Sequence, residues 1–510
     1  MAGTLRRCWL SRYRAILPDN NEQKEKAGQA TANGLAGEGW EMNDMEKASP
    51  GTAETGNAGK AWPTSRQANY GLFLLILTSA CAQLDVAIVP YLAPYIQKDL
   101  GITDLQLSLL IGVSFALFYT MVGIPVARLV DRHSRKKILS IGMLTWTVGA
   151  VLCGFAQNFF QLFVARFIVG GGESVNGPSA YSIMGDLFRR ERLPRAIALY
   201  HIGQVSGPAL AMLISGVLMA LIIDMSPIQL PWGHMAGWHV IFILTALPGF
   251  FIAALMLTTM REPRRQIIAN QLDPAFKQGE SKGISGGLLS DYMVAFKYMA
   301  QHRRVFAPIF LTLLIGALHF GAAAWTPIFY QRTYGWAPAQ LAIYHSVLSL
   351  CLVPLGMFLG VMMAEYFTRR GRDDSPVIVL LIAKVIALTS IFVTLMPSPW
   401  LALGLSSFGS LAIGMLGPIQ NVQLQTVAPA ELRGKITALY LFLLNVVGIA
   451  LSPIIVAVLT DQVFGDPSQV RWSIFILLAV SSPISLFFAF MSRRPFLEEV
   501  RRLKALETAS

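Results

Sequence analysis

The 510-residue chain is 54% hydrophobic and only 14% charged, with a formal net charge of +12. An ordinary soluble protein of this length would carry far more surface charge. The basic residues sit in short segments between apolar runs, not along one face or tail, which argues against nucleic acid as a partner.

Residues 1–69 are polar, rich in Ala, Gly, Asn, Glu and Lys, and lack an apolar centre. They read as a disordered cytoplasmic N-terminal tail. Apolar segments long enough to cross a hydrocarbon core of ~30 Å follow near 70–96, 104–128, 138–157, 160–184, 195–223 and 238–260. The polar stretch 261–304 reads as a cytoplasmic central linker with an amphipathic piece at 292–300. Six more apolar segments run near 305–330, 340–366, 375–396, 400–424, 435–460 and 471–492, before a cytoplasmic C-terminal tail at 493–510. The fold class predicted is an all-α membrane protein, with twelve transmembrane helices in two pseudo-symmetric six-helix bundles, 70–260 and 305–492. The alternating ten-residue segments of a membrane β-barrel are missing.

An even number of helices puts both termini on one side. With that side cytoplasmic, it holds 36 of the 41 Lys and Arg. The short loops alone give 14 against 3, the three being Lys98, Arg332 and Arg471. The expected location is the inner cell membrane, with both ends of the chain inside. Of the four cysteines, Cys8, Cys81, Cys153 and Cys351, three lie in apolar runs; none shows paired spacing, so they read as small buried hydrophobes.

The two halves repeat. Arg195-x2-Ala198-Leu199-Tyr200 opens the fifth segment and Lys435-x2-Ala438-Leu439-Tyr440 the eleventh. Gly203-x3-Gly207-Pro208 follows the first, and Gly448-x3-Ser452-Pro453 follows the second with one residue of slip. Parallel-related halves of this kind carry a substrate site at their interface near mid-membrane.

After the second segment the chain reads Ala127-x3-Asp131-Arg132-His133-Ser134-Arg135-Lys136. This resembles the loop signature of the major facilitator superfamily, Gly-x3-Asp-Arg-x-Gly-Arg-Arg/Lys, with Ala127 and Ser134 in place of glycines. The resemblance implies gating roles for Asp131, Arg132 and Arg135, with Asp131 meeting the start of the eleventh helix near Gly434 and Lys435. A carboxylate there is favoured by ~0.3–1 kcal/mol, weak enough for a latch that opens. Gly203, Gly207 and Pro208 resemble a superfamily pattern associated with antiporters and exporters, in which small residues allow close approach and Pro a bend. Arg166-Phe-Ile-Val-Gly-Gly-Gly-Glu173, then Tyr181-x3-Gly185-Asp186-Leu187-Phe188, together with Leu84-Asp85, resemble the Spinster-like branch, several animal members of which move lysolipids or sphingoid phosphates. Val86 stands where that branch usually has Arg. In the superfamily the ninth helix faces lipid, which implies that Lys384 snorkels to the cytoplasmic interface.

Charges inside a membrane point to function independently of any resemblance. At ~1.5 Å per residue, Asp85 and Arg166 come to nearly the same depth from opposite sides. Glu173 lies two turns beyond Arg166 on the same face, close to the midplane. The pattern predicts an anion-binding Arg166 paired with Asp85 above a proton-carrying Glu173, with Asp85 and His201 as further proton carriers. Gln83, Asn176, Gln420 and Gln423 are candidate hydrogen-bonding groups for substrate. The second half has almost no cavity charge and many Phe, Leu and Met residues, which suits an amphiphile with an anionic head.

The function expected is a secondary active transporter working by alternating access, proton-coupled, moving an amphipathic organic anion such as a lysolipid. Small organic acids or drugs are the alternative cargo, and a non-transporting sensor the alternative role. Expected partners are the substrate, protons and membrane lipids, with the chain a monomer and no cofactor or metal. Gly283-Ile284-Ser285-Gly286-Gly287 matches a nucleophile-elbow pattern formally, but it sits in a polar loop without the strand and helix that an elbow needs. An enzyme is not expected.

Overall fold

The computed structural model describes residues 62–189, 192–231, 233–263, 288–429 and 432–507. The N-terminal tail up to residue 61 and the serine motif at 283–287 lie outside the described residues.

Helix α1, Ser65–Leu100, starts at a capping box in which Thr64 and Gln67 satisfy each other's backbone N–H, and stops at Gly101, whose φ of 63° suits a residue without a Cβ. A second capping box, Thr103 with Gln106, starts α2 (104–132), which contains a π-helical stretch at Leu109–Val113. Ser134 caps α3, Arg135–Cys153. Next, α4 (159–187) consists of Phe159–Glu173 and Asn176–Leu187, broken at Ser174 and Val175. Helix α5 is Leu193–Ile222. A short hairpin, β1 (Ile228–Leu230) with β2 (Gly233–Met235), leads into α6, Gly237–Thr259.

The second half repeats the plan. An amphipathic helix, Leu288–Gln301, precedes α7 (Arg303–Tyr334), which bends at Leu318. Then come α8 (Pro338–Arg369), α9 (Ser375–Val393), α10 (Pro399–Val427), α11 (Arg433–Phe464) and α12 (Val470–Glu507). Among the described residues, eleven of these helices are long and apolar enough to cross a membrane. The twelfth span is α4, whose break leaves neither piece long enough alone. The expected 160–184 segment is therefore present but divided directly after Glu173.

The segment expected as a C-terminal tail is instead the continuation of α12, which runs through Pro495 to Glu507. Phe496 and Val500 are buried in one hydrophobic cluster with Ala295 and Met299 of the amphipathic helix and Phe306 of α7, which favours continuing the helix beyond the membrane edge.

Odd-numbered helices run from the basic end of the bundle, which carries the α2–α3 turn, to the opposite end. The halves meet along α2 against α11 and α5 against α8. Gly112 lies so close to the Ile449 and Ala450 carbonyls that a Cβ would collide with them, and Gly216 presses on Ala342 and Ile343. At the first crossing, the π-helical stretch of α2 faces another in α11, Asn445–Leu451. Such turns recur at functional sites.

Candidate functional site

Asp85 on α1 and Arg166 and Glu173 on α4 are buried, with 2%, 2% and 4% of their surface exposed. Close packing fixes α4 here. Gly170 touches the Phe115 backbone of α2 and Gly172 the backbone of α3 at Trp146, at distances that leave no room for a Cβ. Sequence reasoning places Asp85 and Arg166 at one level, and the structure brings them together, but not as the expected ion pair. Arg166 Nη1 donates to the backbone carbonyl of Asp85 at 3.3 Å, and the guanidinium lies over the Phe115 ring at 5.5 Å. Asp85 Oδ1, Arg166 Nε, Glu173 Oε1 and Asn176 Oδ1 have no hydrogen-bond partner among the described residues. Buried polar atoms left unsatisfied are costly, ionic ones most of all, and three ionic atoms with one amide oxygen mark a place where a proton, water or ligand completes the network.

Around this cluster, Gln83 and the α5 glycines form a seam inside the first half. Gly207 packs on the Gln83 side chain and Gly203 on Ile76. Pro208 sits within a continuous α5. Through these contacts the two glycines join α5 to α1. His201 Nε2 lies 3.2 Å from the Tyr181 hydroxyl.

The side chains of Asp131 and Arg132 lie outside the described residues. Arg135 is buried, and its bonds stay within the first half. It pairs with Asp186 of α4, donates through Nε to Glu262 Oε1 at 3.3 Å, and donates through Nη2 to the Pro263 carbonyl at 2.8 Å. In this arrangement it fastens α3, α4 and the exit of α6. Glu262 also accepts from the Ser134 hydroxyl (2.7 Å) and from the Arg135 and Lys136 backbone N–H (3.0 and 2.9 Å). Burial pushes its carboxyl up, but the bonds from Ser134, Lys136 and Arg135 outweigh this and hold it below the usual range.

In the second half, Asp374 before α9 takes the place of the cation. It binds Arg372 at 3.1 Å and Arg493 of α12 at 2.7 Å. Burial again opposes ionisation, and the two guanidinium groups overcome it.

The second bundle carries a partly open cavity of about 480 Å³, lined by α7 to α12. Most of its wall is apolar. Gln420 lines it as expected. Gln423 does not: it is fully buried, and its Nε2 donates to Ser492 Oγ of α12 at 3.3 Å, because three residues of helix turn it toward the neighbouring helix. Lys384 is the larger departure. It does not snorkel outward but points into the bundle, 5% exposed, beside Gly316 and on the cavity wall. The expectation that this half lacks cavity charge is corrected accordingly.

Sequence reasoning counts Arg332 only as a basic residue on the wrong side. At the opposite end it grips Asp104 with both prongs, each 2.7 Å, and Gln97 at 2.9 Å. Leu105 N–H donates to Asp461 (3.1 Å), and the Ser108 hydroxyl to the Pro453 carbonyl (3.0 Å). These bonds tie α1 and α2 to α7 and α11. The available signal was an Arg that breaks the loop-charge bias.

The profile of the Major Facilitator Superfamily matches residues 75–453. The chain belongs to this superfamily. A probable galactarate/D-glucarate transporter of Bacillus subtilis is 23% identical over 411 residues, covering 76% of this chain and 85% of its own. An MFS-type efflux pump of Mycolicibacterium smegmatis is 22% identical, covering 88% and 98%. Among solved structures, a bacterial homolog of the human lysosomal transporter Spinster, inward-facing and unoccupied, superposes with a TM-score of 0.67 at 22% identity, covering 86% and 98%. As a major facilitator, the chain is a multi-pass membrane transporter of a small molecule and not an enzyme.

Proposed function

We propose that the chain is a proton-coupled secondary transporter of the Spinster-like kind, moving an amphipathic organic anion such as a lysolipid by alternating access. The observation that carries this reading is the buried cluster of Asp85, Arg166, Glu173 and Asn176, with ionic atoms left unpartnered on two helices of one half. Arg166 supplies the positive charge for an anionic head. Glu173 and Asp85 take up and release the proton, so that cargo charge and carboxylate charge change together. Access alternates as the halves rock about the α2–α11 and α5–α8 seams, closed at the opposite end by Arg332 and Asp104. The short-loop charge bias supports cytoplasmic termini and an inner-membrane location.

A small sugar acid is the second reading, favoured by the names of relatives, which include galactarate/D-glucarate and hexuronate transporters. Counterflow in proteoliposomes separates the two. Exchange of a labelled lysophospholipid is expected to be blocked by excess unlabelled lysolipid and to fall about tenfold or more in Arg166→Ala, as loss of a charge-assisted bond predicts. Competition by glucarate alone would replace the lysolipid reading with the sugar-acid one.

A further inference from the structure

Lys384 is a buried lysine of α9. It lies nine residues into α9, ~14 Å along the helix axis, and is 95% buried by the complement of its 5% exposure. No hydrogen bond or ion pair satisfies its ammonium among the described residues. A titratable neighbour on the cavity wall, His319, has both ring nitrogens engaged: Nδ1 lies 3.2 Å from the Gly316 carbonyl oxygen and Nε2 3.1 Å from the Ser482 hydroxyl. An imidazole cannot supply the negative charge that would balance Lys384.

The space around Lys384 is built. Gly316 faces the ammonium, and the flexible end of Lys384 would have to shift to admit a Cβ there. The cavity runs from Gln420 and Tyr440 nearer the basic end to Thr394 and Ile474 nearer the opposite end. Lys384 and Thr394 alone are ~15 Å apart along the axis. The wall is mostly apolar and also presents Thr326, His345, Ser349, Ser390, Ser406 and Ser410. A negative partner favours a buried ammonium, and a long, mostly apolar chamber selects what that partner is attached to.

We propose that the second bundle holds its own anion site, in which Lys384 binds the head group of a single-chain amphiphile whose tail lies along the apolar cavity. This site is separate from the Asp85–Arg166–Glu173 cluster, since the cavity is lined wholly by second-half residues. The choice of an amphipathic anion rests on the proposed function; the existence of the site does not. A volume of about 480 Å³ suits one chain.

The test is equilibrium binding to the purified full chain in a nonionic maltoside detergent, with dodecanoate and dodecanol as probes. Wild type is expected to prefer dodecanoate by about tenfold or more. Because the first-half cluster would also attract an anion, the variants are made in an Arg166→Met background, which should keep the preference. In that background Lys384→Met should abolish it while leaving dodecanol affinity unchanged, and Lys384→Arg should retain it. Equal affinity of the Arg166→Met chain for both probes, or a preference that survives Lys384→Met in it, overturns the proposal. Because transport is not the readout, failure here and failure of the transport reading are distinguishable.

Discussion

Arg332 holds Asp104 through two parallel bonds of 2.7 Å, joining residues 228 positions apart and on opposite halves of the molecule. Asp104 is nearly buried and Arg332 about four-fifths so, which places the pair among ion pairs whose rupture is costly: removing one partner strands the other, at up to ~3–5 kcal/mol. Asp104→Asn or Arg332→Met should therefore shift the population toward the arrangement open at this end. Gln83→Cys in a Cys351→Ser background provides the readout. Labelling by an impermeant maleimide from that side should accelerate several-fold in either variant; an unchanged rate would remove the pair from the gate.

Glu262 is held below the usual carboxylate range, so its contribution to stability is complete above the unfolded value of about 4.3 and is lost as pH falls through the lower folded value. Glu262→Gln should lower stability at pH 7 by about 1–2 kcal/mol, through weaker acceptance of the Ser134, Arg135 and Lys136 bonds. The difference from wild type should shrink as acid protonates the native carboxylate. Thermal melts from pH 7 downward check this, as they do for Asp374→Asn in the mirrored network with Arg493.

Gly112 meets the backbone of α11, which has no freedom to step aside. Gly112→Val should wedge the halves apart, costing ~1–3 kcal/mol of stability in the closed arrangement. Gly177→Ala, where a Cβ meets nothing, is the control. Paired measurements of melting temperature and transport rate should show both falling in the first variant and neither in the second.

Much of this architecture can be read from the chain alone. Hydropathy locates the spans because only helices hide backbone polarity in hydrocarbon, and helical rise puts Asp85 level with Arg166. What side chains do on arrival depends on neighbours distant in sequence. Arg166 finds a carbonyl because that is what α1 offers it. Lys384 turns inward because Gly316, on another helix, leaves space; an almost wholly apolar α9 has no polar face to reveal this. The α4 break is hidden because Ser174 and Val175 are ordinary helix residues. Arg332 and Asp104 carry no local mark of each other, and the network before α9 exchanges the charges of its first-half counterpart: acid at Asp374 where the first half has Arg135, base at Arg493 where it has Glu262.

The central claim is that Glu173 carries a proton in step with an anionic cargo. Proton movement into liposomes containing the reconstituted chain and a trapped pH-sensitive dye, started by adding lysolipid, measures it most directly. Wild type should move protons with substrate, whereas Glu173→Gln should show no substrate-dependent proton flux while still binding lysolipid. Proton flux in Glu173→Gln equal to wild type would contradict the account.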